Sequence, residues 1–469
     1  MRKFQLKSFS VKVKITQTFD PYFIKYYCLV WPEQIKPNQN FMQQTTKPGQ
    51  TQGPKPLIII CALFFIFGFV TWANGTLIPF FKLSFGLSNL QAFFVTFASY
   101  MAYFFLALPS SWILKKVGFK NGIVLGLVIL GLGSLIFIPA AQTRTFGLFL
   151  TGIFVQGAAL ALLQTASNPY LTIIGPIESA AKRISIAGIC NKFAGMIVPL
   201  IMGSLFLKNA SEVEKQIKAA TGAVHEQLLN DVLGRVNIPY IVLAIVFCLF
   251  AVFIKFTNLP EVEVEEDVID ESKGEVVKHT SIFQFPHLFL GALCIFVYVG
   301  AEVMAGDIIG IYGRELGISA EISGKLTSIT LFSMLIGYII GIVTIPKYIS
   351  QQKALRICAI LGIIFTVLSF AISSWFAVIF VALLGLANSL MWPAIFPLGI
   401  SHLGKFTKIG SAIMIMGIAG GALMPLLYAF LNEKLHINFQ LAYLLTVLPC
   451  YLYILYFAIK GHKAGLNLK

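Results

Sequence analysis

Leu162 to Pro176 reads LLQTASNPYLTIIGP, an apolar stretch with Gln164, Thr165, Asn168 and Thr172 written into it and Pro169 in its middle. Gln164, Asn168 and Thr172 are spaced by four, so on a helix they share one face. Inside a membrane such a face needs a partner or a ligand, because lipid supplies no hydrogen bonds. Function is expected to sit there.

The surroundings are membrane. Hydrophobic residues make up 57% of the 469 and charged ones only 12%, against about 25% charged in an average soluble domain. From Leu57 onward, apolar spans near the ~20 residues needed to cross a bilayer fall at 57–81, 88–114, 121–141, 146–174, 184–207, 236–257, 284–312, 322–346, 354–372, 375–400, 408–431 and 439–460. The chain is therefore expected to be an all-α, polytopic membrane protein with twelve transmembrane helices. Between the sixth and seventh spans, EVEVEEDVIDESKGE at 261–275 is too acidic to enter lipid. The expected organisation is a tail (1–56), a six-helix half (57–258), an acidic linker (259–283), a second six-helix half (284–460) and a short tail (461–469). Met42 is an alternative start that would leave 1–41 outside the native protein.

Lys and Arg in the short loops set the orientation. The connections after spans 2, 4, 8 and 10 carry ten (Lys115, Lys116, Lys120, Lys182, Arg183, Lys347, Lys353, Arg356, Lys405, Lys408), and those after spans 1, 3, 7, 9 and 11 carry five. Both termini and the linker are thus expected in the cytoplasm, with the chain in the cytoplasmic (inner) membrane. The net charge of +15 then reflects loops against anionic lipid rather than nucleic acid. The seven cysteines form no C-x-x-C pair and the six histidines no H-E-x-x-H pattern, so neither a metal site nor any cofactor is expected. A phosphate loop of the G-x-x-x-x-G-K-[ST] type is missing, and with no catalytic cluster the chain does not read as an enzyme.

Internal repetition supports two halves. Sliding the chain by 224 residues places Pro169 on Pro393, Gly175 on Gly399 and Gln164 on Asn388, so that each amide stands five residues before a helix proline. Sliding by 226 places Ser185 on Ser411, Gly195 on Gly421 and Pro199 on Pro425.

Three groups of residues could carry chemistry. The amides Asn74, Gln164, Asn168, Asn191 and Asn388 offer donor and acceptor without charge, which matches a sugar hydroxyl; the bland alternative is helix-to-helix glue. Glu302, Asp307 and Lys192 lie where an unpaired charge is costly. Glu302 is the sharpest of them, either a coupling group or a structural partner of Lys192. Trp72, Tyr100, Tyr103 and Trp392 could offer flat faces to the apolar side of a pyranose, but with aromatic residues at 13% most must face lipid or core, and Trp392, one turn from Asn388, is the one expected to stack.

These residues resemble a known family. Twelve spans in two halves, with PSSWILKKVGFKNG at 109–122, are similar to the major facilitator superfamily. More narrowly, FASYMAYFFLALPSSWILKK (97–116), QTASNPYLTIIGP (164–176), ESAAKRISIAGICNK (178–192), YVGAEV (298–303) and NSLMWPAIFPL (388–398) resemble its fucose, galactose and glucose permease branch. The resemblance implies a monosaccharide importer, with glucose or galactose favoured, working by alternating access as a monomer and coupled to H⁺ or Na⁺. Asn74, Gln164, Asn168, Asn388 and Trp392 would bind substrate, with Glu302 and Lys192 coupling. L-fucose permeases carry carboxylates where this chain has Gly75 and Gln164, so coupling is the point of departure, and a uniporter, a fucose or other sugar permease, a carrier of a non-sugar solute and a non-transporting sensor stay open.

Overall fold

The computed structural model describes residues 45–46, 54–85, 87, 89–206, 210–257, 261–262, 268–270, 275–277, 281–318, 322, 325–372 and 374–466. Helix α1 is Pro54–Phe85. The run Asn89–Leu135 holds α2 (89–117) and α3 (119–135), which meet at Gly118 with φ 80°, a left-handed turn that glycine adopts without strain. There follow α4 (Phe146–Ile173), α5 (Ala180–Phe206) and α6 (Asn237–Phe256). The second half comprises α7 (Pro286–Gly306), α8 (Leu326–Thr344), α9 (Gln351–Ala371), α10 (Phe376–Asn388 and Met391–Ile400), α11 (Thr407–Met416 and Gly420–Ala429, joined by a tighter turn at Gly417–Ala419) and α12 (Phe439–Ile459). Each expected span has its helix. The fold is all-α, with twelve membrane helices in two six-helix halves.

Differences from the expected spans have local causes. Span 7 stops at Gly306 and restarts as Ile309–Glu315. Span 10 breaks at Ser389–Leu390, where Pro393 lacks the N–H that would close on the Ser389 carbonyl. Pro169 stands in α4 in the same way, yet that helix runs on through it. The long connection between α5 and α6 folds into two helices, Ala210–Ala219 and Gly222–Gly234. Within the acidic linker Val268–Asp270 pairs antiparallel with Glu275–Val277. Most of the expected linker, the tail before Pro54 apart from Thr45–Thr46, and residues 467–469 lie outside the described residues.

Helices in lipid gain nothing from leaving a lipid-like neighbour, so they associate through close contact. Two glycines show how close that contact is. A Cβ built on Gly68 would lie 2.1 Å from the Asn191 carbonyl oxygen, where α1 crosses α5; one on Gly420 would lie 1.8 Å from the Phe296 carbonyl oxygen, where α11 crosses α7. Along its apolar stretch α10 is 72% buried against 28% for the α6 stretch, so α10 is central and α6 faces lipid. Between the halves, α2 and α4 pack on α11, and α5 packs on α8 and α10. This seam positions the site.

Candidate functional site

A cavity of about 120 Å³ lies between the halves, room for several waters at the ~10–15 Å³ that one requires. On its first-half side stand Thr71 and Trp72 of α1, Tyr100 and Tyr103 of α2, Gln164 of α4, and Asn191 and Lys192 of α5; on the other, Tyr298 and Glu302 of α7, Tyr338 of α8 and Trp392 of α10. Gln164 Nε2 donates to the Tyr103 hydroxyl at 3.2 Å. Asn191 Nδ2 donates to the Phe64 carbonyl at 3.2 Å, tying α5 to α1 beside the Gly68 crossing.

Lys192 and Glu302 form an ion pair across the seam. The Lys192 side chain is 9% exposed and that of Glu302 17%, so the carboxylate keeps the better access to the cavity. Lys192 Nζ also lies 5.3 Å from the centroid of the Trp72 ring, an additional cation–π attraction. That indole is fitted against glycines of both halves: a Cβ on Gly195 would fall 2.6 Å from it, and one on Gly306 3.4 Å. The charges of this cavity thus neutralise each other, and what remains to meet a solute is amide, hydroxyl and aromatic face. Asp307, at the end of α7, is exposed and does not line the cavity, though it stands within electrostatic reach of Glu302 and Lys192.

The polar ladder of α4 splits. Asn168 Nδ2 donates to the Gln164 carbonyl at 3.0 Å, and the Thr172 hydroxyl to the Asn168 carbonyl at 3.1 Å. Each satisfies itself on the carbonyl four residues earlier. Asn168 is fully buried, and its Oδ1 accepts from Trp392 Nε1 at 3.2 Å. Of the three, only Gln164 lines the cavity; Asn168 instead holds the indole that does. Asn388 is also displaced from its expected role: it is 1% exposed, stands apart from the cavity wall, and accepts from the Tyr451 hydroxyl at 2.9 Å, its Nδ2 having no partner among the described residues. The break after Asn388 separates its turn from that of Trp392. Asn74 lies on α1, with its side chain outside the described residues.

At the end of the bundle that carries the basic loops, the seam is closed by hydrogen bonds. Pro169 has no N–H, so the Thr165 carbonyl loses its intrahelical donor; the Ser411 hydroxyl of α11 donates to it at 3.2 Å. Asn168 and Trp392, which also meet here, are related by the 224-residue offset of the repeat. Lys408 Nζ reaches the Leu114 carbonyl at 3.4 Å and lies 5.1 Å from the Phe119 ring centroid. Arg183, which sequence reading uses only as a topological charge, caps α4: Nε donates to the Leu171 carbonyl and Nη2 to that of Thr172, both at 2.7 Å. Ser411→Ala strands the Thr165 carbonyl and is expected to weaken closure by about 1 kcal/mol. A cysteine placed at buried Thr172 should then label roughly fivefold faster; an unchanged rate would show that closure does not depend on this bond.

Residues 60–427 match the Major Facilitator Superfamily. A glucose/galactose transporter of Brucella abortus biovar 1 (strain 9-941) is 33% identical over 431 residues, covering 91% of this chain and 99% of its own. An L-fucose-proton symporter of Escherichia coli (strain K12) is 29% identical over 409 residues, covering 86% and 92%. The crystal structure of a transporter of this superfamily, FucP, in the outward conformation superposes with a TM-score of 0.73 at 28% identity, covering 86% of this chain and 97% of that one.

Proposed function

Because the chain belongs to the Major Facilitator Superfamily, we propose that this membrane transporter imports a monosaccharide, glucose or galactose, by alternating access about the cavity between its halves, 57–258 and 284–460. The observation that carries the reading is the internal neutralisation of the cavity: with Lys192 paired to Glu302, a charged solute would find no free counter-charge, whereas a neutral polyol finds amide and hydroxyl partners beside aromatic faces. The names of the similar proteins, a glucose/galactose transporter and an L-fucose-proton symporter, agree with it.

Gln164 and Tyr103 bind sugar hydroxyls, and Trp392 stacks on the ring, held by Asn168. Asn74 belongs to the site by its place three residues after Thr71, and Asn388 acts from behind α10 through Tyr451. Glu302, balanced by Lys192, couples the sugar to H⁺ or Na⁺. The basic end faces the cytoplasm, with both termini on that side of the inner membrane, so the hydrogen bonds across the seam there separate the cavity from the cytoplasm. The transporter works as a monomer. A uniporter is the second reading, favoured by Gly75 and Gln164 standing where fucose permeases carry carboxylates.

Uptake of labelled glucose, galactose and fucose into proteoliposomes, under a proton gradient, a sodium gradient or neither, tests this. One of the first two sugars should accumulate under a single ion gradient. Equilibration without accumulation under any gradient selects the uniporter, and no uptake above empty vesicles for all three rejects the sugar.

A further inference from the structure

Beyond α12 the chain makes one tight turn, Gly461–Lys463, and residues 464–466 then lie against the start of α7. Two contacts fasten them. The Ala464 carbonyl accepts from the backbone N–H of His287 at 3.2 Å, a first-turn donor that α7 itself does not use. Gly465, at φ 76°, sits so close that a Cβ built on it would fall 2.4 Å from Pro286 Cδ, so both its backbone and its neighbour require glycine. Lys463 and Leu466 face a cavity at the basic end whose first-half wall is Ile177 and Glu178. Residues 464–466 are thus a strap at the basic end of the seam, hinged on the turn before them. His462 holds that turn to α12: it is 5% exposed and its Nδ1 donates to the Phe457 carbonyl at 2.9 Å, with burial keeping the ring below the ordinary imidazole range.

Under the strap, the His287 ring is fully buried, edge-on to Phe285, and its Nε2 meets the Ser401 carbonyl at the end of α10 at 2.9 Å. A carbonyl only accepts, so Nε2 carries the ring's one proton and Nδ1 is bare. That Nδ1 is buried and has no partner among the described residues. A proton added there would put a charged donor where no acceptor meets it, a costly arrangement inside a folded chain. The groups that bear electrostatically on the ring are His402, which follows α10, and His462; Lys463 and, from α9, Arg356 bear on His462 in turn. All are basic, so none compensates a second proton. We propose that residues 464–466 form a proton-sensitive strap, closed while His287 is neutral and lifted when its Nδ1 takes up a proton. The closed strap disfavours that proton, so it is stable at neutral pH and is lost as pH falls through the range of a free imidazole, about 6.5. His287 joins the start of α7, which carries Glu302, to the end of α10, which carries Trp392. Lifting the strap frees these helix ends from each other, and transport slows. With the basic end read as cytoplasmic, acid on that side restrains import, whichever solute is carried.

The test is trimming of the purified full-length protein from its C-terminus by a carboxypeptidase active in acid, read by intact mass. Removal of residues through Ala464 requires the strap to lift, so its rate reports that local opening and is independent of which solute is carried. Normalised to a free peptide, it should be about tenfold faster at about pH 5.5 than at about pH 7.5, the ratio set by a free imidazole titrating only in the lifted form. His287→Gln, whose side-chain amide can still donate to Ser401 but does not titrate, should cut that ratio to about twofold or less, while His462→Asn should leave it at about fivefold or more. Gly465→Ala should trim faster than the parent at neutral pH, because its methyl group and its backbone both oppose closure. Counterflow exchange of sugar, which no gradient drives, should slow in acid more in the parent than in His287→Gln. Equal trimming of the parent at both pH values overturns the proposal, as does a ratio unchanged in His287→Gln or lost in His462→Asn. Should His287→Gln fail to insert, the parent's ratio, His462→Asn and Gly465→Ala still decide. Exchange that slows equally in parent and variant, with trimming as expected, overturns the link to transport.

Discussion

Gln164→Ala is expected to reduce sugar uptake to the level of empty vesicles while the protein inserts in normal amounts. Gln164 is the one amide of the α4 ladder that reaches the central cavity, and its Nε2 donates to the Tyr103 hydroxyl. Truncation removes the proposed sugar contact and one hydrogen-bond partner of Tyr103, whose hydroxyl keeps its bond with Thr71. Two lost hydrogen bonds of about 1 kcal/mol each come to roughly 2 kcal/mol, or about thirtyfold in affinity. Transport assays on matched amounts of membrane protein check it, and unchanged uptake would sink the assignment. Gln164→Glu is the informative companion. It places a titratable group at this position, and uptake should become dependent on pH where the parent's Gln164 cannot titrate.

The second large effect concerns the ion pair. Glu302→Gln is expected to abolish ion-driven accumulation while counterflow exchange of sugar survives. Glutamine keeps an acceptor for Lys192 but cannot take up and release a proton. Breaking a buried pair by removing one partner costs about 3–5 kcal/mol, an upper bound here because the Glu302 side chain keeps 17% exposure. Lys192→Ala should therefore lower thermal stability more than Lys192→Gln combined with Glu302→Gln, which removes both charges together. If exchange falls as far as accumulation in Glu302→Gln, the pair serves structure rather than coupling.

Much of this was legible in the residues. The twelve spans follow from apolar length alone, and the need of Lys192 and Glu302 for partners follows from their depth in lipid. The binding face was legible only in part. Four-residue spacing correctly places Gln164, Asn168 and Thr172 on one side of α4, but the same spacing lets a side chain bond the carbonyl one turn back, and Asn168 and Thr172 do so. Spacing does not say which of these outcomes wins. Repeat matching likewise pairs Gln164 with Asn388, yet a shared sequence register does not guarantee a shared neighbour, and Asn388 meets Tyr451. Trp72, Tyr100 and Tyr103 line the cavity although nothing local sets them apart in a chain that is 13% aromatic. What selects them is which helix faces cross at the seam, a property of packing. Pro169 was legible as a proline inside a helix and not as a donorless position whose orphan carbonyl another helix could claim.

The hydrogen bond between Asn168 and Trp392 has a consequence for symmetry. A two-fold axis relating identical halves brings a residue on that axis face to face with its own copy, so the contact must be self-complementary. Two asparagines satisfy that condition, each carboxamide giving and receiving; two tryptophans do not, since indole only gives. The bond at this position has one direction, from the second half to the first, and no homodimer of either half could make it. At this position the two halves are not interchangeable: the first supplies the acceptor and the second the donor.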